Sequence, residues 1–256
     1  MTLDTRLVET LWDAAKFYNE PGFIENDPIL IPHLFTHARD IELAGFFTAL
    51  IAWGQRKTII SNAKELMRRM DNSPYEFILN SSEGDQRALM GFVHRTFNEV
   101  DLIFLVNRLG ELLREYNSLE NIFFIKSTSS IEETLIQFRR TLFANYLDSN
   151  RTQKHIATPE KNSACKRLNM YLRWMVRPSD GVDFGIWKSI NPSILKMPLD
   201  THVIRVVKEL GILSDLKGDW KGCLELTNIF SQIHPSDPVF FDFALFGMGA
   251  NNRNMS

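Results

Sequence analysis

Lys166 and Asp200 are the side chains best placed, by type and local context, to do chemistry. Lys166 lies in Cys165-Lys-Arg-Leu-Asn-Met-Tyr-Leu-Arg-Trp174, which reads as a helix. Steps of three and four from it reach Met170, Arg173 and Arg177, while Leu168, Leu172 and Met175 fall on a separate apolar side. Asp200 lies in Pro198-Leu-Asp-Thr-His-Val-Ile-Arg205. There Pro198 resists helix, Asp200 is a good N-cap, Val203, Val207 and Leu210 recur at helical spacing, and Gly211 ends the run. A deprotonated amine is a nucleophile, and a carboxylate stabilises positive charge developing beside it. Each residue also has a plainer reading: Asp200 as a helix cap, Lys166 as one charge on a solvated face.

The elements that must position this pair are helical. Leu3, Leu7, Leu11 and Ala14 share one face of an amphipathic N-terminal helix, unlike the continuously apolar segment of a signal peptide. Pro21, Gly22, Asn26, Pro28 and Pro32 punctuate a connection to a buried helix over 41–53, with Asp40 as its cap and Gly54 closing it. Amphipathic helices are expected near 58–70, 86–93, 100–116 and 131–146, with polar turns at 80–85 and 127–130. Residues 148–163 are polar and unpatterned and read as a connector. No sustained period-two alternation and no fixed repeat is present, so the expected fold class is all-α.

At 256 residues the chain can fill one or two compact units. Its formal net charge of -2 means that a nucleic-acid-binding face must concentrate basic residues locally. The best stretch for that is 151–177, where Arg151, Lys154, Lys161, Lys166, Arg167, Arg173 and Arg177 have Glu160 as their single acidic neighbour in sequence. It reads either as a phosphate-binding surface or as a solvated face. Two cysteines, Cys165 and Cys223, make no disulfide scaffold and cannot supply four thiolates to an iron-sulfur cluster; a reducing cytoplasm is the expected location. The longest apolar run, 43–53, is too short to span a bilayer. None of the six histidines stands at zinc-ligand spacing, and neither a glycine-flanked serine elbow nor a phosphate-binding glycine loop occurs, so no metal or cofactor is implied.

The run from Pro198 to Gly211 resembles the segment of helix-hairpin-helix DNA glycosylases, the endonuclease III superfamily, that carries the catalytic aspartate in a valine-aspartate-threonine-histidine-valine motif; Leu199 replaces the valine here. Leu43-Ala-Gly-Phe-Phe-Thr-Ala-Leu-Ile-Ala-Trp-Gly-Gln55 is similar to the family's first barrel helix, and Asp237-Pro-Val-Phe-Phe-Asp-Phe-Ala-Leu-Phe-Gly-Met-Gly249 to its last. The archaeal 8-oxoguanine glycosylase branch is the nearest comparison. The chain departs from it in having Met170 where a ring stacks on the base and Arg173 where a second lysine stands. It also has no Leu-Pro-Gly-Val-Gly hairpin before Lys166.

The resemblance implies removal of a damaged base, such as an oxidised purine, from double-stranded DNA. Asp200 would stabilise the positive sugar, and Lys166 would attack it to form a Schiff base that permits AP-lyase cleavage. The extruded base would enter a pocket of Trp53, Gln55, Met170, Arg173 and Asp242, with Asp242 bonded to the base or paired with Arg173. Duplex contacts are expected from Arg56, Lys161, Arg167, Arg177, His202 and Arg205. A helical barrel lobe over 40–197 would carry Lys166, and 1–39 with 198–256 would form a second lobe carrying Asp200, with the cleft between them. A monomer is expected. The alternative is a nucleic-acid-binding or interaction protein that keeps this fold without the catalysis.

Overall fold

The structure is a computed structural model that describes residues 3–125, 130–146 and 150–251. The chain is mostly helical, as the periodicity predicts, with twelve α-helices among the described residues. They are α1 (Thr5–Tyr18), α2 (Ala38–Leu50), α3 (Arg56–Arg69), α4 (Pro74–Asn80), α5 (Glu99–Tyr116), α6 (Leu119–Phe123), α7 (Ile131–Leu142), α8 (Asn150–Gln153), α9 (Lys166–Val176), α10 (Thr201–Glu209), α11 (Trp220–Ile233) and α12 (Asp242–Asn251). One antiparallel hairpin, β1 (Val93–His94) with β2 (Phe97–Asn98), pairs Val93 with Asn98 and His94 with Phe97. Among the described residues no helix is long and apolar enough to cross a membrane.

Two compact units divide the chain. The first is Met1–Glu25, Ser129–Ile131 and Thr158–Ser256; the second is Asn26–Thr128 and Glu132–Ala157. The major division therefore falls at 158 and not at the expected 198, which puts Lys166 and Asp200 in the same unit. The reason is that α9 completes its hydrogen bonds and charge pairs with elements that follow it: Phe184 N donates to Trp174 O, Trp187 N to Met175 O, and Asp242 pairs with Arg173.

In the second unit α2 is buried without interruption from Ile41 to Leu50. Its one acid there, Glu42, is satisfied by Arg39 at 3.0 Å and by the backbone N–H of Leu119 at 3.2 Å, which makes the burial tolerable. The helix begins earlier than expected, with His37 at the N-cap. Asp40 instead accepts from the Tyr75 N–H at 2.9 Å, tying α2 to α4. α5 opens on a capping box of Asn98 and Asp101, and Asp101 also accepts from Thr152 Oγ1 at 2.9 Å and pairs with Arg151 at 3.1 Å. The expected helix over 86–93 is a short 3₁₀ turn, Asp85–Leu89, followed by the hairpin, because Gly91 (φ 76°) turns the chain away from helix. The expected connector 148–163 carries α8 and a 3₁₀ turn at Pro159–Lys161, while the expected turn 127–130 lies mostly outside the described residues.

In the first unit α12 is the apolar centre, packed by α1 and α10. Gly247 and Gly249 permit this, since a side chain at either would occupy the space filled by the Tyr18 ring and the His202 ring respectively. Trp12 of α1 lies against His234, Phe240 and Phe241, and Trp174 and Trp187 are fully buried, with Trp187 edge-on to Tyr171 of α9.

Candidate functional site

The approach to Lys166 is a turn built without glycine. Asn162 (φ 53°) and Cys165 (φ 50°) both take the left-handed conformation that glycine usually fills. Local bonds hold them there: Ser163 Oγ accepts the Cys165 N–H at 3.2 Å, Asn169 Nδ2 donates to Ala164 O at 3.0 Å, and Asn162 O accepts the Trp220 N–H at 3.2 Å. Lys166 is thus the first residue of α9, at a fixed starting point.

Asp200 caps α10 as the sequence predicts, but with one oxygen alone. Its Oδ1 accepts the N–H groups of His202 and Val203, both at 2.9 Å. Its Oδ2 lies 3.8 Å from Lys166 Nζ, and Nζ lies 3.3 Å from Met170 Sδ. The side chains of Lys166 and Asp200 are 29% and 39% exposed, so the pair is open to a solute while held at its base.

A buried charge network continues from this pair along α9. Arg173 bonds Asp242 at 2.5 Å and Asp183 at 3.3 Å, and its guanidinium lies 4.4 Å from the Phe243 ring centre. Arg177 bonds the second oxygen of Asp183 at 2.5 Å, Asp237 at 2.8 Å and Asp180 at 3.5 Å. Burial pushes the Asp242 carboxyl up; Arg173 and then Lys166 pull it back, and Asp200 adds to the rise. Asp242 therefore feels both members of the exposed pair. Burial works against the Arg177 charge, yet Asp183 and Asp237 outweigh it and hold Arg177 above its ordinary value.

Several expected roles change in consequence. Arg177 is fully buried and ion-paired, so it is not part of a phosphate-binding surface. Arg173 and Asp242 pair with each other, the second of the two roles weighed for Asp242, and neither is open as a pocket wall. Arg167 is half-buried and burial lowers it to about 10, with Cys165 acting in the opposite direction. Lys161 is exposed. His202 and Arg205 face the end of α12: Arg205 donates to Gly249 O at 3.2 Å and pairs with Glu209 at 2.8 Å.

Trp53, Gln55 and Arg56 belong to the second unit. Trp53 is half-buried, stacked on His155 at 5.8 Å and edge-on to His94 at 5.3 Å; Gln55 and Arg56 are exposed at the start of α3. The structure thus gathers Lys166, Met170, Arg173, Asp200 and Asp242 in one unit. Asp183 and Asp237, absent from the sequence-based site, join them; the signal for Asp183 was its place just after Arg177 in an Asp-Gly-Val-Asp turn. Among the described residues no group of three or more His, Cys, Asp or Glu is arranged to hold a metal ion.

A family model covers residues 27–251, a span that includes both Lys166 and Asp200. The chain belongs to the DUF2400 family, described as a protein of unknown function. No curated protein and no solved structure matches this DUF2400 chain significantly.

Proposed function

We propose that the chain is a DNA base-excision glycosylase with AP-lyase activity, similar in plan to helix-hairpin-helix glycosylases. The observation that carries the reading is the division of labour at Asp200: one oxygen caps α10, and the other faces the Lys166 amine at 3.8 Å. A carboxylate fixed by two backbone N–H groups at a helix N-terminus needs no reorganisation to stabilise a sugar cation. An amine beside it can attack the anomeric carbon as the base departs. The covalent adduct rearranges to a Schiff base, and β-elimination breaks the 3′ phosphate ester. Supporting the reading is the glycine-free turn at Asn162 and Cys165, which delivers Lys166 to the start of a helix although the usual glycine-rich hairpin is missing.

The test is incubation with a panel of lesion-bearing duplexes, with and without borohydride. Wild type should give a covalent adduct mapped to Lys166, and Lys166→Gln should abolish it while duplex affinity stays largely intact. An adduct on another lysine, such as Lys161, would overturn the site. Duplex binding with no excision or trapping on any substrate would favour a non-catalytic DNA-binding protein.

A further inference from the structure

We propose that Met170 is the positioning residue for Lys166, its thioether sulfur holding the amine beside Asp200 without giving it a charged partner of its own. This deepens the glycosylase reading and rests on Lys166 being the nucleophile there.

Residues four apart lie one above the other on the same face, so Met170 stands one turn after Lys166 on α9. The sulfur is 3.3 Å from Nζ, and Met170 itself is 8% exposed, so the lysine is drawn onto a buried anchor. A lysine carries large rotamer entropy, and a half-exposed ion pair at 3.8 Å is beyond hydrogen-bond reach, so Asp200 alone does not fix the amine. The shorter contact is the one to sulfur.

The chemistry of the anchor matters as much as its place. A thioether is a weak, neutral acceptor. A carboxylate at 170 would bind the ammonium form tightly; an aliphatic side chain would offer no acceptor. Arg173, next along this face, is committed to Asp183 and Asp242. The thioether is thus the contact that orients the amine while leaving its lone pair available once the proton is lost.

Met170→Leu and Met170→Glu in the full chain test this, with a duplex containing a preformed abasic aldehyde as the probe and borohydride as the trap. No base is present at that site, so a lost base contact cannot explain a defect. Met170→Leu nearly conserves volume and should leave thermal stability and duplex affinity near wild type. Its trapping rate should fall about three- to tenfold at every pH. Met170→Glu should move the pH midpoint of trapping upward by about one unit. Trapping at the wild-type rate in Met170→Leu, or a defect confined to base-bearing duplexes, would overturn the proposal. A second assay needs no DNA: Lys166 should be methylated faster by formaldehyde and borohydride in Met170→Leu, because the freed amine swings into solvent. Equal methylation rates would refute the positioning role. A wild-type chain that traps nothing on DNA yet shows the methylation difference would refute the glycosylase reading and leave the positioning standing.

Discussion

At the scale of single residues, Asp200 is where the sequence tells most and still stops short. Its position before an apolar-periodic run identifies a cap, and both capping bonds are present. The direction of the second oxygen depends on α9, which no local pattern around Asp200 encodes. The same limit applies to Met170: its spacing from Lys166 places them on one face, but the amine settles on sulfur because Asp200 lies on that side too. The cap that Asp200 forms and the catalytic duty proposed for it can be separated. Asp200→Asn keeps an oxygen for the His202 and Val203 N–H groups and removes the charge. It should leave the unfolding midpoint close to wild type while base excision falls about 10²- to 10³-fold. Asp200→Ala should lose both, with about 1 kcal/mol of stability gone as well. Equal turnover in Asp200→Asn and wild type, measured on the best lesion substrate, would reduce Asp200 to a cap.

At the scale of elements, helix existence was legible and helix environment was not. The apolar period marks α1, α3, α5 and α10, since each buries a stripe that recurs every three to four residues, and an unbroken apolar run marks α2, which is buried all round. Two-residue strands are too short to show alternation, so β1 and β2 stayed hidden behind an apparent helix. α9 shows the deeper limit. Lys166, Arg173 and Arg177 share a face, which reads as solvated when Glu160 is the single acid between 151 and 177. The acids that meet this face, Asp183, Asp200, Asp237 and Asp242, come from later elements, so the cationic stripe is mostly interior. Removing one partner of a buried pair strands the others. Arg177→Ala should therefore destabilise the chain by about 3–5 kcal/mol in urea unfolding. Any protein still folded should bind duplex DNA with an unchanged salt dependence. A surface role for Arg177 requires the reverse: near-native stability with a shallower salt slope.

At the scale of the whole molecule, α1 packs on α12 within the first unit, where Gly247 admits the Tyr18 ring, whereas the sequence placed the N-terminal segment with the C-terminal helices only through the glycosylase resemblance. It misplaces the main division because the irregular run after Arg177 looks like a crossing between lobes. That run instead returns onto α9 through Asp183, Phe184 and Trp187. The net charge of -2 then sets the terms for the proposed binding of DNA. With Arg173 and Arg177 neutralised by buried acids, the phosphate contacts that the proposed function requires fall to exposed cations, for which Lys161 and Arg56 are candidates. Each phosphate neutralised contributes about 0.9 to the slope of log affinity against log salt. Lys161→Ala and Arg56→Ala should therefore each make the slope shallower by about 0.9 and weaken all duplex sequences alike, lesion-bearing or not. The measurement is a salt titration of fluorescence anisotropy on an undamaged duplex. If wild-type affinity is independent of salt, or if both substitutions leave the slope untouched, these residues do not meet phosphate, and the expectation of duplex DNA as the partner loses its electrostatic basis.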